Sequence, residues 1–541
     1  MMSCSRWIVG TLVACAAAAA TAAPAQRRPS PPPVPVLNWA PCEIAPEVEC
    51  ATATVPLDYD QPRGATTKLA LARVPAADQA NKIGSIFLNP GGPGASGVDL
   101  VLFGFGDFLA GLLGGRFDIV AFDPRGVAQS SPLYCFDSAA SLDAFFGDAP
   151  LFPYLPEQEK PYFDTFKQLG PQCATQGNPI MGHMSTADVA RDMDLLRQAV
   201  GDAKLSYLGF SYGSFLGATY ANLFPDKVRA LVIDGVLDPT LWSSGWQVVS
   251  DRVATQKEFA EFLRLCDAAG NAACPLSQGP NSAAGRYASM VEALYSEPLI
   301  FPDGFVYTYD FLIDDSVGAM YAPELWPDYG AYFASLAEAM LGDRVALKKA
   351  AELRKQLQER VKSASPRRAE YANGIDAYYG NHCSDAEYPH TLPLFKGIAA
   401  FAESGSIYGP YWWWGAAPCA GWPAASDRYI GPWATRTSSA VLVVGNYFDG
   451  VTDYEGAVAT SKLLKNSRLL TYAGWGHTAF DRNQCVTDHV VSYLLDGSLP
   501  PVGTVCAANP NPFLPSLALK RANASAVPRI GLPPMWAGMR R

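Results

Sequence analysis

Gly209-Phe210-Ser211-Tyr212-Gly213 is the single Gly-x-Ser-x-Gly of the 541-residue chain, and Ser214 to Tyr220 after it can form a helix. An apolar run, this pentapeptide and then a helix form the local context of a nucleophile elbow, a tight turn that exposes a serine and leaves room only for glycine beside it. A serine hydroxyl is a weak nucleophile at neutral pH. It needs a histidine to take its proton and a carboxylate to orient that histidine. The chain has five histidines: His183, His382, His390, His477 and His489. In this architecture the order along the chain is serine, acid, histidine, with the base in a loop after the last strand. His477, in Ala473-Gly474-Trp475-Gly476-His477-Thr478, meets that requirement. His183 precedes the serine, His382 and His390 fall in a mainly helical stretch, and His489 lies in a helix-like apolar pattern. The acid should end the preceding strand, and Asp449 does so after the run Val443 to Phe448, 28 positions before His477. Asp453, four residues further on, is placed to cap the next helix.

Acyl transfer also develops an oxyanion, which backbone N–H groups must meet. Tyr212, directly after the serine, supplies one such group, and Gly92 in Asn89-Pro90-Gly91-Gly92-Pro93-Gly94 is the expected second. No Cys-x-x-Cys and no His-Glu-x-x-His occurs, so no metal and no cofactor is expected.

These residues need a sheet to carry them. Ser85 to Leu88, Phe117 to Phe122, Leu205 to Leu208 and Ala230 to Ile233 are short apolar runs ending in Gly, Pro or Asp turns. Helical patterns separate them, as α/β architecture requires. Before Ser211, Val189, Met193, Leu196 and Val200 share one helix face, with Ser185 and Asp188 spaced as a capping box. Strand-like runs stop near Pro239 and resume at Ala440 to Val444 and Arg468 to Tyr472. The reading is an α/β-hydrolase fold with a large, mainly helical cap inserted between two halves of the sheet. Residues 39–238 and 437–506 form the core, 239–436 the cap, and 507–541 a C-terminal tail. Eight of the twelve tryptophans lie in the insertion, a density that suits a cap core or an apolar pocket.

With 49% hydrophobic and 17% charged residues the chain is too apolar to be disordered. A formal charge of −10 without a long Lys/Arg run argues against nucleic-acid binding. Arg6, the apolar run Trp7 to Ala20 and Ala23-Pro24-Ala25 read as a signal peptide over residues 1–25. Leu12-Val13-Ala14-Cys15 leaves a lipid anchor on Cys15 as a second reading. A proline-rich linker follows over 26–38. No later segment is apolar enough to span a membrane, so a secreted or periplasmic location is expected. Signal removal leaves ten cysteines in consecutive couples 8, 38, 8, 36 and 21 positions apart. An exported chain with this even count suggests five local disulfides.

Taken together, Asn89 to Gly94, Asp123-Pro124-Arg125-Gly126, the Ser211 pentapeptide, Asp449 with Thr452, and Gly476-His477 resemble the secreted tripeptidyl-aminopeptidase branch of the prolyl-iminopeptidase-like α/β-hydrolases. Cys383-Ser384-Asp385, Cys419 to Pro423 and the segment from Cys485 to Cys506 look like that branch as well. The resemblance runs from about Trp39 to Cys506 and implies Ser211 as nucleophile, Asp449 as acid and His477 as base under a cap. It implies an aminopeptidase that releases short N-terminal peptides through an acyl-enzyme. A carboxylesterase or small-molecule hydrolase using the same triad is the alternative. An aminopeptidase must hold a protonated α-amine, and Asp385 and Glu387, beside Cys383, are the carboxylates expected to do so.

Overall fold

In a computed structural model of the chain, residues 31–279, 281–362, 371–425 and 427–514 are described. The expected signal peptide, Cys15 and the tail beyond 514 lie outside them. Ten strands form one sheet: β1 (Ala40–Pro41), β2 (Glu49–Pro56), β3 (Thr66–Val74), β4 (Gly84–Asn89), β5 (Phe117–Phe122), β6 (Leu205–Phe210), β7 (Val228–Asp234), β10 (Val441–Phe448), β11 (Ser467–Trp475) and β12 (Val505–Cys506). The remaining two, β8 (Leu299–Ile300) and β9 (Val306–Tyr307), make a small antiparallel hairpin within the insertion. The sheet order is β1-β2-β3-β5-β4-β6-β7-β10-β11-β12. The first three strands pair antiparallel, and everything from β5 to β12 is parallel.

Parallel strands covered on both faces read as continuous apolar runs, and every residue of β5 and β6 is buried. Alternate residues serve opposite faces. Ile86, Ile119, Leu208, Val232 and Leu442 pack with the helices of residues 97–112 and Gln484–Asp496. Phe87, Val120, Tyr207, Leu231 and Val443 pack with Thr186–Ala199, Tyr212–Leu223 and Tyr454–Leu463. Each such side chain contributes roughly 1.5–3 kcal/mol by leaving water. Ser185 caps its helix by accepting from the Asp188 N–H at 3.2 Å. The reciprocal half of the expected box does not form, because the Asp188 carboxylate turns toward the buried Arg125 guanidinium, 3.8 Å away.

Between β7 and β10 the chain builds the cap, whose longest helix is Gln247–Ala269. The cap core holds Trp326, Trp412, Trp413, Trp414 and Trp422, so most of the insertion's tryptophans fill its interior. The same cluster takes in Leu133, Cys135, Phe166, Cys173 and Met184. The excursion after β5 therefore packs with the cap helices. Its place there was not visible in the chain order, because apolar side chains between β5 and the next helix could equally have lain on the sheet. All ten described cysteines pair with their neighbours in sequence: Cys42–Cys50, Cys135–Cys173, Cys266–Cys274, Cys383–Cys419 and Cys485–Cys506. Among the described residues no helix is long and apolar enough to cross a membrane.

Candidate active site

Ser211 stands between β6 and the helix Tyr212–Leu223 at φ 55°, ψ −123°, a strained conformation for a residue with a side chain. Its neighbours explain how the chain is held there. A Cβ on Gly209 would lie 2.4 Å from the Tyr207 ring, and one on Gly213 would lie 2.9 Å from the Asn89 carbonyl oxygen. The loop after β4 presses on the turn from the other side: a Cβ on Gly91 would come within 2.5 Å of Phe210 O and 2.8 Å of Ser211 Cβ.

Asp449 follows β10 and is buried. Its Oδ1 and Oδ2 lie 3.0 and 3.1 Å from His477 Nδ1. Val451 and Thr452 N–H groups donate to Oδ1 at 3.0 and 2.9 Å, and the Thr452 hydroxyl donates to Oδ2 at 2.8 Å. Burial pushes the Asp449 carboxyl up, but the His477 ring and these hydrogen bonds outweigh it and leave the group below its ordinary value. Asp453 caps the helix Tyr454–Leu463 through the Glu455 N–H. His477 follows β11, and the Tyr321 ring stands edge-on to it at 5.3 Å. Ser211, His477, Thr452 and Gly92 line one cavity. Tyr212 is the first residue of its helix, so its N–H has no acceptor within the helix and is free to face a ligand. Gly92, at φ 105°, borders the cavity from the β4 loop.

A serine on a strained turn beside a carboxylate-oriented imidazole is an arrangement able to carry out acyl transfer. Residues 84–269 match the family model described as alpha/beta hydrolase fold, and residues 405–506 match the one described as TAP-like protein. Serine protease Hip1 of Mycobacterium tuberculosis is 33% identical over 498 residues, covering 87% of this chain and 91% of that protein. The chain belongs to the TAP-like family of α/β-hydrolases. Carboxylesterase B of Mycobacterium tuberculosis is 34% identical over 473 residues, with 85% and 86% of the two chains covered. Tripeptidyl aminopeptidase of Streptomyces coelicolor is 29% identical over 489 residues, with 88% and 87% covered.

This TAP-like protein is a serine hydrolase, and its cap supplies most of the rest of the cavity wall. Neither carboxylate expected to meet a substrate amine lines that wall. Asp385 is buried and accepts from the Thr186 N–H and hydroxyl, both at 2.7 Å. Thr186 in turn bonds the Tyr212 hydroxyl, so Asp385 supports the residue after the serine. Burial pushes its carboxyl up to about 7, with the Thr186 and Trp242 bonds pulling the other way. Glu387 is exposed and pairs with Arg428 at 3.3 Å. Proximity to Cys383 in sequence could not show which way the end of helix Gly374–Asp385 points.

Two residues that sequence reasoning did not select line the cavity instead. Asp251, from helix Gln247–Ala269, is the one carboxylate there among the described residues. It is 4% exposed, and its Oδ1 accepts from Gln247 Nε2 at 2.6 Å. Burial holds the Asp251 carboxyl well above its ordinary value, and the Gln247 bond offsets only part of that. His382 lines the cavity too, with Nε2 2.8 Å from the Tyr388 hydroxyl and no partner for Nδ1 among the described residues. Burial lowers it to about 3, so it stands as a neutral imidazole. Tyr378 stacks on its ring at 5.5 Å and Trp242 meets it edge-on at 4.7 Å. No sequence signal marked either residue, since an aspartate or a histidine on an amphipathic helix reads as surface or core until the opposing wall is known.

Proposed function

We propose that the protein is an exported aminopeptidase that releases short N-terminal peptides, of tripeptide length by likeness to its relatives, through an acyl-enzyme on Ser211. His477 takes the Ser211 proton as Oγ attacks the scissile carbonyl, and Asp449 holds the imidazole and stabilises its charged form. The N–H groups of Gly92 and Tyr212 receive the oxyanion. His477 then gives the proton to the leaving amine, and water, deprotonated by the same base, frees the N-terminal fragment.

Asp251 is the observation that carries the peptide reading. An α-ammonium is a compact cation with three donors, and the cavity offers it one buried carboxylate, with neutral His382 on the same wall. The aromatic side chains of Trp242, Tyr378 and Trp412 line the same space, and aromatic rings attract cations. An ammonium entering would restore charge to Asp251, which burial alone disfavours. A fixed distance from this anchor to Ser211 would set how many residues are released. The five disulfides support action outside the reducing cytoplasm.

A tripeptide anilide, its N-acylated counterpart and a p-nitrophenyl ester separate this reading from the carboxylesterase alternative, which the relative of that name keeps open. Asp251→Asn should raise KM for the free-amine substrate at least tenfold while sparing the acylated peptide and the ester. Equal effects on all three substrates would remove the amine site, and turnover confined to esters would favour the alternative.

A further inference from the structure

One side chain of the cap touches the loops of both the candidate acid and the candidate base. Glu258, two turns beyond Asp251 on helix Gln247–Ala269, is fully buried. Its Oε2 accepts from the Gly450 N–H at 2.6 Å and its Oε1 from the Gly476 N–H at 2.7 Å. Gly450 directly follows Asp449, and Gly476 directly precedes His477. A single carboxyl group thus bridges the residue after the acid and the residue before the base.

The surroundings are built for this contact. A Cβ on Gly450 would stand 2.7 Å from Glu258 Oε2, so the loop comes close only because that residue is glycine. Thr255, three residues earlier on the same helix, donates its hydroxyl to the Gly450 carbonyl. The backbone N–H and C=O of Gly450 are thereby both held by the cap. Thr255 is itself fixed by the Trp412 indole N–H at 2.8 Å. Burying a carboxylate beside Asp449 is unfavourable, and burial followed by the Asp449 charge does push Glu258 up. The two backbone N–H groups and Arg482 act in the opposite direction. Arg482 is anchored on Glu324 at 2.8 Å. Burial prevails and holds the Glu258 carboxyl well above its ordinary value; a buried polar group of this cost is retained only where its bonds do something an apolar residue could not.

We propose that Glu258 is a positioning residue that, together with the Gly476 N–H bond to the Phe448 carbonyl at 2.9 Å, fixes the Asp449 and His477 loops relative to each other, so that the seated cap helix holds the triad in line. Only a side chain with an acceptor at each tip can hold two N–H donors at once. An amide of the same shape turns one tip into a donor facing a donor. The inference rests on the triad assigned above and is independent of whether the substrate is a peptide or an ester.

Glu258→Gln in the full chain tests it. With the anilide and the ester, kcat should fall about 10²-fold for both while KM stays within twofold, as a misplacement of about 1 Å in the triad would produce. Phosphonylation of Ser211 by a small fluorophosphonate, which needs the activated serine but no amine site, should slow in parallel. Gly450→Ala, which displaces the carboxylate from the loop side, should reproduce the kcat loss and serves if the glutamine variant does not fold. A kcat within twofold of the parent in either folded variant, or a loss confined to KM, overturns the proposal. Ser211→Ala, measured alongside, reports on the triad itself: if it retained turnover, the underlying assignment and not the clamp would be at fault.

Discussion

At the residue scale the site is a set of groups whose charges are fixed by where each carboxylate finds donors. Asp449 is buried like Asp251, yet the two move in opposite directions from the ordinary value. Asp449 has the His477 ring, three backbone N–H groups and the Thr452 hydroxyl, whereas the Asp251 carboxylate accepts from Gln247. The first group is suited to stabilising an imidazolium, the second to waiting for a cation. Asp449→Asn keeps the volume but presents an amide to Nδ1, so the imidazole is held in the wrong tautomer. A kcat loss of about 10⁴-fold with a near-normal melting temperature is the expected result, read from steady-state kinetics and thermal denaturation. A loss under tenfold would mean that another carboxylate orients His477.

At the element scale, function depends on how closely the loop after β4 can sit on the turn after β6. Gly91 takes φ 96° and meets the backbone of Phe210 and the Cβ of Ser211. A methyl group there has no flexible neighbour to push aside. Gly91→Ala should destabilise the fold by about 1–3 kcal/mol from backbone strain and contact, and should reduce kcat because the loop carrying Gly92 is displaced from the oxyanion. Denaturant unfolding together with kcat checks both parts, and an unchanged kcat would argue that Gly92 takes no part in the oxyanion hole. Gly94 belongs to the same loop, and a Cβ on it would meet the cap backbone at Tyr378 N, 2.8 Å away. The β4 loop is thus held between the elbow and the cap.

At the scale of the whole molecule, the interior holds several carboxyls that burial raises. Asp123 and Asp234 move from 3.8 to about 6, and Asp376 and Asp385 from 3.8 to about 7. An acid that holds its proton more tightly when folded makes folding take up protons between the two values. Stability from these four groups is therefore greatest near the unfolded value and declines as pH rises through 6 to 7. His382 works the other way, since its folded value of about 3 lies below 6.5 and disfavours the folded state as pH falls below 6.5. Asp188 is likewise raised by burial to about 7, so proton uptake by the carboxyls outweighs the release at His382 and leaves a net gain on the acidic side. The melting temperature should be higher near pH 5.5 than at pH 8, measured by calorimetry in buffers of matched ionic strength. A flat or rising profile over that range would show that these carboxyls are ionised in the folded protein.

The sheet, the turn holding Ser211 and the order of Asp449 before His477 were legible in the sequence because each is a local matter. A strand's apolar run, a glycine beside a crowded serine and an aspartate at a strand end leave their mark within a few residues. The five disulfides were legible too, since each closes on its neighbour in the chain. What the cap contributes was decided only by tertiary structure. Asp385 and Glu387 stood beside a motif, yet one supports Tyr212 and the other faces solvent. Asp251 and Glu258 share a helix whose apolar pattern says nothing of either. The contacts of Glu258 with Gly450 and Gly476 bridge 192 and 218 positions. Which polar side chain of a buried helix meets a particular backbone N–H depends on how that helix lies on the sheet, and that follows from the packing of the whole cap.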